Sequence, residues 1–303
     1  MNKLSSCVTA MRLRTLPLSL AGVSLGLMLA ASDYMLRPWV AFFTLLTTAF
    51  LQILSNVANE LGDFLHGTDR EADRQGPSYT LSKGLLTARD FKVMILVYVL
   101  LCVAGGLAMI WFSFGTFFDY GAVIIALMGL AAISGAMKYT LGRRPYGYRG
   151  LGDLYVFMFF GIVAVLGSYF VASHEIRTWI LLLPAISVGC FSVGVLNVNN
   201  IRDIKSDALT RRTIPVRIGE RNAKIYHTAL IVFGWACMFV YVSMRMFDWW
   251  HYLFAVTLPL FVIHLVQVWR HSGKALDPQL PQLVISTFLF AFLAGFGFIV
   301  YLL

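Results

Sequence analysis

The sequence predicts an all-α integral membrane protein: nine transmembrane helices forming a single domain over residues 1–303, with its active site at the cytoplasmic rim. Three observations carry this. Hydrophobic residues make up 59% of the chain and charged residues 13%, against roughly 25% charged in ordinary soluble domains. Nine runs approach the about 20 mostly apolar residues that a membrane helix needs. The segments between them alternate between strongly basic and almost free of cations. A mean hydropathy of +0.75 excludes a disordered chain, which needs low hydrophobicity and high net charge. The runs are continuously apolar, which excludes the alternating strands of a membrane β-barrel.

The runs fall at about 15–32, 38–57, 91–112, 120–138, 154–172, 179–199, 225–244, 250–269 and 281–303. The first is flanked by Arg12 and Arg14, and no small-residue cleavage site with a secreted domain follows. It therefore reads as a retained helix and not a signal peptide. The second ends in the polar series Asn56, Asn59, Asp63. The third lies mostly within residues 93–118, which carry no charge, and the fourth ends at Lys138. The fifth follows Asp153, and the sixth lies in the uncharged stretch 178–201. The seventh follows the polar segment that ends at Lys224. The eighth contains His251 and His264; His264 reads as an interior histidine held by hydrogen bonds. The ninth lies in the uncharged stretch 278–303. Cys7, Cys102, Cys190 and Cys237 are far apart, and three sit in apolar runs. They read as small buried hydrophobes and not as a disulfide or zinc framework.

Of the 24 lysines and arginines, 21 lie before the first span or after the second, fourth, sixth and eighth; the others are Arg37, Arg177 and Arg245. The positive-inside rule then puts the N-terminus and the four basic loops in the cytoplasm of a cell (inner) membrane, and the C-terminus outside. The net charge of +9 is mostly this topology. The basic loops are short and mix acids with bases, so no nucleic-acid partner is expected.

Two loops stand out. Asn56, Asn59 and Asp63 are spaced i, i+3, i+7, and so are Asn200, Asp203 and Asp207. On a helix each set makes one polar stripe. The stripes extend from the same rim, four spans apart, which hints at an internal duplication. Ionisable groups at membrane depth point to function. Carboxylates with amides beside them offer the hard oxygen ligands that suit Mg²⁺, whose remaining positions are filled by water and substrate phosphate. Arg202, Lys205, Arg211 and Arg212 in the same loop suit a phosphate better than a bare metal. Glu71, Asp73, Asp90 and Glu220 lack the stripe spacing and read as ordinary helix-end and loop acids. A multi-pass cation or anion transporter is the alternative class. It would carry ionisable groups near mid-span, whereas here the acids gather at one rim. A non-catalytic scaffold leaves both stripes unexplained.

At these loops the sequence resembles the UbiA superfamily of intramembrane prenyltransferases, with nine helices and Asp-rich motifs after the second and sixth. The resemblance extends over the whole chain. Arg12-Leu-Arg14-Thr15-Leu-Pro17, Asn59-Glu60-x-x-Asp63-x-x-x-Gly67-x-Asp69, Lys138-Tyr139, Tyr146-Gly-Tyr148-Arg149-Gly150-Leu-Gly152-Asp153 and Asn199-Asn200-x-Arg202-Asp203-x-x-x-Asp207 with Arg212-Thr213 are most similar to its 1,4-dihydroxy-2-naphthoate branch. Glu60 stands where Asp is commoner, Ser78-Tyr79-Thr80 departs from the usual arginine-containing segment, and Arg143-Arg144 is unusual. The resemblance implies transfer of a polyprenyl group from an allylic diphosphate to an aromatic acid, with 4-hydroxybenzoate the alternative acceptor. It implies Mg²⁺ as cofactor, held by Asn59, Asp63, Asp69, Asp203 and Asp207. Asp63, Asp203 and Lys138 would be catalytic, and Asn56, Asn59, Arg149, Asn200, Arg202, Lys205 and Arg212 would bind substrate. Aromatic side chains would shield the allylic cation; the sequence leaves open which of them do so, and whether Lys138, Arg149 or Arg202 holds the acceptor's carboxylate or the diphosphate.

Overall fold

The computed structural model describes residues 2–67, 80–245 and 248–300. Among these residues nine helices are long and apolar enough to cross a membrane. They are α1 (Lys3–Asp33), α2 (Pro38–Leu65), α3 (Ala88–Phe114), α4 (Tyr120–Lys138), α5 (Gly152–Ser173), α6 (Trp179–Arg202), α7 (Glu220–Ser243), α8 (Trp249–Arg270) and α9 (Gly273–Val300). All nine predicted spans are present, and the chain is a multi-pass membrane protein.

Local chemistry sets the helix starts. The backbone of α1 bends at Arg12 (φ +50°), and Pro17 sits in the first turn of the segment Leu16–Asp33 that follows, as Pro38 does in α2; a missing N–H costs nothing there. Thr87 and Asp90 form a reciprocal capping box at the start of α3. Asp119 accepts hydrogen bonds from the backbone N–H of Gly121 and Ala122 at the start of α4. Asp90 also pairs with Lys3 at 2.7 Å, so it serves as the helix-end acid expected.

Two helices differ from the prediction in ways that matter to the site. α2 continues past residue 57 to Leu65, because Glu60 and Asp63 are buried and paired and need not leave the helix to find water. The first polar stripe is therefore helical throughout. The second is not. α6 ends at Arg202, the backbone breaks at Asp203 (φ −96°, ψ 12°), and a separate helix covers Ile204–Thr210.

The larger core joins α1, α5, α6, α7, α8 and α9 around Leu25, Tyr169, Phe191, Trp235, Phe261 and Phe290. Without a hydrophobic drive between helices in lipid, close backbone approach and hydrogen bonding hold such bundles. α5 and α6 touch where a Cβ at Gly161 would come within 2.6 Å of the Ala185 carbonyl oxygen and Gly189 Cα. α3 exposes Val93, Leu96, Val97, Leu100 and Leu107, the face it turns to lipid. Trp39, Trp179, Trp249 and Trp250 are exposed near the ends of the helices at the rim with few cations, where interfacial aromatics belong. The three cations on that rim are used in structure. Arg177 and Arg245 pair with Asp33, which also accepts from the Tyr169 hydroxyl at 2.8 Å. Arg37 donates to the Ser113 carbonyl at 3.0 Å.

Candidate active site

A cavity of about 620 Å³ runs from Asp63 and Arg202 at the basic rim towards Ile110 and Val171 near the other. Its volume suits a drug-sized ligand. Its inner wall is apolar, with Leu51, Val103, Leu107, Ile125 and Met128 among its residues. One side is aromatic: Tyr146 and Tyr155 stack at 3.8 Å between centroids, Phe159 continues the stack, and Tyr139 meets Tyr146 edge-on.

The α2 stripe forms part of the polar end. Asn56 donates from Nδ2 to the Met11 carbonyl and to Thr15 Oγ1, both at 2.9 Å. It thus ties α2 to the bend in α1, and it also lines the cavity. Asn59 accepts from Thr140 Oγ1 at 3.2 Å. Gly62 lets the end of α2 approach the segment after α4, since a Cβ there would lie 2.5 Å from Thr140 Oγ1 and 2.7 Å from its carbonyl carbon. Asp63 is buried and accepts hydrogen bonds from the Tyr148 hydroxyl at 2.6 Å and from Arg211. Glu60 has a different task. Its Oε1 takes the backbone N–H and hydroxyl of Thr80, each at 2.6 Å, and the N–H of Leu81 at 3.1 Å, while Oε2 faces Arg12 at 3.4 Å. Its carboxylate anchors the chain leading into α3, and it is not in the cavity wall.

The second stripe is arranged around two arginines. Arg202 is buried and grips Asp203 through Nε at 3.0 Å and Nη2 at 2.6 Å. It also reaches Asn199 at 2.8 Å and Asp277 at 2.7 Å. This grip on the next residue accompanies the break at Asp203. Asn200 and Arg202 line the cavity, whereas Asp203 lies behind them. Asp207 is buried, and its Oδ1 lies 3.8 Å from Arg211 Nε. Arg211 therefore stands between the two stripes, paired with Asp63 of the first and Asp207 of the second. Its guanidinium also lies over the Tyr148 ring at 4.6 Å. Burial works against the Arg211 charge, but the two carboxylates outweigh it and raise its pKa above normal. Burial pushes the Tyr139 phenol up to about 12.

The loop carrying Tyr148 is clasped to the loop carrying Arg211. Arg212 N–H donates to the Tyr148 carbonyl at 3.0 Å, and Arg217 donates to the Arg149 carbonyl at 2.8 Å. Gly150 has φ +81°, and a Cβ there would strike the Arg212 carbonyl oxygen at 2.6 Å. This position suits glycine, which adopts positive φ without steric cost.

Four cations expected at the substrate do not reach the cavity wall: Lys138, Arg149, Lys205 and Arg212 are exposed and lie outside its lining. Helical position explains Lys138, which is at the end of α4. The clasp explains Arg149 and Arg212, which contribute backbone and not guanidinium. The arginines that do line the cavity are Arg12, Arg14, Arg202 and Arg211. Arg211 was legible as a neighbour of the motif, four residues after Asp207. Asp277 carried no signal, because its partner Arg202 is 75 residues away. Asp69, expected to hold metal, lies outside the described residues. His264 is hydrogen-bonded to His227 at 2.9 Å and to Gln282 at 2.7 Å, as an interior histidine should be.

The sequence model of the UbiA prenyltransferase family matches residues 19–288. The chain belongs to this family. It is 38% identical over 270 residues to the 1,4-dihydroxy-2-naphthoate octaprenyltransferase of Escherichia coli, covering 89% of this chain and 85% of that one. It is 35% identical over 296 residues to the enzyme of the same name from Haemophilus influenzae, covering 95% and 94%. Among solved UbiA structures, the fold is similar to a homolog from Aeropyrum pernix K1, with TM-score 0.69, 16% identity, and 96% and 98% of the two chains covered. It is also similar to a homolog from Archaeoglobus fulgidus bound to DMAPP and Mg²⁺, with TM-score 0.62, 16% identity, and 95% and 98% covered.

Among the described residues of this UbiA member, no three His, Cys, Asp or Glu side chains cluster as a ready metal cage. That still fits Mg²⁺, which binds through one or two carboxylates and takes its other oxygens from water and substrate phosphates. Asp63 and Asp207, buried and bridged by one cation, are such a pair, and Asn59 beside Asp63 adds an amide oxygen.

Proposed function

We propose that this protein transfers a polyprenyl group from an allylic polyprenyl diphosphate to 1,4-dihydroxy-2-naphthoate, releasing diphosphate and CO₂ and forming demethylmenaquinol for menaquinone biosynthesis. One observation carries the reading: a single cavity joins a charged pole, lined by Asp63, Asn200, Arg202 and Arg211 with Asp207 paired behind Arg211, to a long apolar wall. That shape matches a substrate with a diphosphate head and an isoprenoid tail. The names of the relatives at 35–38% identity support the naphthoate acceptor.

The chemistry follows from the residues. Mg²⁺ held by Asp63, Asp207 and Asn59 would neutralise charge on the leaving diphosphate. The allylic C–O bond breaks with its electron pair going to that diphosphate. Arg211, buried beside Asp63 and Asp207, stabilises the growing negative charge in a site where such stabilisation is strongest. Asp203 acts indirectly by holding Arg202. The faces of Tyr146, Tyr155 and Phe159 flank the allylic cation, and the apolar wall keeps water from capturing it. The ring carbon bearing the carboxylate then bonds to the allylic carbon. The electrons of its bond to the carboxylate return to the ring, and CO₂ departs. Arg14 is the residue assigned to hold that carboxylate. It lines the cavity and has no acid partner among the described residues, whereas Arg12 faces one acid and Arg202 and Arg211 each face two. The basic rim faces the cytoplasm of the inner membrane, where both substrates' polar heads are soluble.

The test is to incubate membranes containing the protein with Mg²⁺, a polyprenyl diphosphate and either 1,4-dihydroxy-2-naphthoate or 4-hydroxybenzoate, with a parallel arm in EDTA. The expected product has the mass of the prenylated naphthalenediol after CO₂ loss, and EDTA abolishes it. Product from 4-hydroxybenzoate alone overturns the acceptor, and full turnover in EDTA overturns the metal.

A further inference from the structure

Arg211 holds an unusual place. Its guanidinium is buried, with only 9% of the side chain exposed, and it bridges carboxylates that belong to different stripes, Asp63 and Asp207. It lies where a hard divalent cation would have to bind. It is also incompletely satisfied, since its buried Nε–H makes no hydrogen bond among the described residues. The 3.8 Å to Asp207 is an ion-pair distance and not a hydrogen bond. A buried arginine in this position is held by charge more than by fitted geometry, so a stronger cation competes with it directly.

We propose that Arg211 is the resident counter-ion that a divalent cation displaces from Asp63 and Asp207, and that the displaced guanidinium then binds the diphosphate. The inference rests on the prenyl-diphosphate reading of this cavity. The electrostatics make the exchange two-sided. A divalent ion brings twice the charge to the same oxygens. The arginine it releases stays inside a mostly apolar pocket, where an unpaired cation is costly. A metal alone therefore binds against a penalty. A diphosphate lifts that penalty by giving the guanidinium an anion, in the forked geometry that arginine and phosphate share. Metal and diphosphate thus bind cooperatively, each raising the affinity of the other by the same factor. The pocket does not charge itself with metal until the prenyl donor's head group arrives.

The experiment measures Mn²⁺ binding to the purified full-length protein in detergent by electron paramagnetic resonance of the free ion, with and without inorganic pyrophosphate. Arg211→Gln and Arg211→Lys are compared with the parent protein, and size-exclusion profile and thermal midpoint confirm folding. In Arg211→Gln, Mn²⁺ alone should bind at least tenfold more tightly than in the parent. The tightening caused by pyrophosphate should shrink by a similar factor. The shorter, single-point cation of Arg211→Lys should give a several-fold change in the same direction, and it carries the test if the glutamine variant does not fold. Equal or weaker Mn²⁺ binding in either folded variant, with the parent still turning over, overturns the exchange and leaves the transferase reading intact. A parent protein that binds neither Mn²⁺ nor pyrophosphate overturns both.

Discussion

Asp63→Asn is the sharpest test of the charged pole. Asp63 Oδ1 accepts from Tyr148 at 2.6 Å and from Arg211. An amide oxygen in the same place can accept both bonds, so the local packing is kept and the negative charge alone is removed. The pair offered to a divalent cation then falls from two carboxylates to one, with Asp207 remaining. Charge-assisted bonds are about twice as strong as neutral ones, and removing one preorganised electrostatic group from an active site costs about 3–4 kcal/mol in the transition state. At about 1.4 kcal/mol per tenfold, that is a loss of about 10²–10³ in kcat. The assay is the initial rate of product formation at saturating naphthoate with a Mg²⁺ titration, on protein whose yield and size-exclusion profile match the parent. Asp90→Asn is the control, because Asp90 caps α3 and pairs with Lys3. Parental turnover in Asp63→Asn, or a comparable collapse in Asp90→Asn, would refute the argument that the stripe does the chemistry.

Other outcomes follow from the same geometry. Arg14→Gln should raise KM for the aromatic acid about tenfold, the value of one lost charge-assisted contact, with KM for the prenyl diphosphate unchanged; a shift confined to the prenyl substrate would move Arg14 to the diphosphate. Because burial lifts the Tyr139 phenol from 10.0 to about 12, its neutral form favours the folded state: this contribution is intact below pH 10 and is lost as pH rises from 10 towards 12. Tyr139→Phe should therefore flatten the alkaline fall in thermal midpoint across that window, and an unchanged slope would count against the burial argument. Cysteines placed at Lys205 and at Trp179, in a background lacking Cys7, should be labelled from the cytoplasmic and the outer side respectively; reversed labelling would invert the topology.

Much of the fold was legible because its signals are local. A run of apolar residues long enough to span is a property of one segment, whatever it packs against, and all nine predicted spans appear. The i, i+3, i+7 spacing likewise identified Asp63 and Asp207, both of which are buried at the basic rim. The family motifs brought out Arg14, Tyr148 and the neighbourhood of Arg211 before their contacts were known. Helix ends were less legible. The apolar run ends near residue 57, yet α2 continues and carries Glu60 and Asp63 inward because their partners come from elsewhere in the chain.

Which charges meet is set by the packing of the helices. Composition counts cations at the basic rim but does not distinguish Arg211, turned inward between two stripes, from Arg212 beside it, which is exposed and joins the clasp through its backbone. Arg211 finds Asp63 across 148 residues, and Arg202 finds Asp277 across 75. Glu60 is drawn to Thr80, and that contact makes it an anchor for the chain leading into α3. Hydrophobic length and helical period act along the chain, so the sequence displays them. Ion pairing in a low-dielectric interior acts through space and depends on angstrom distances that only the packed helices set.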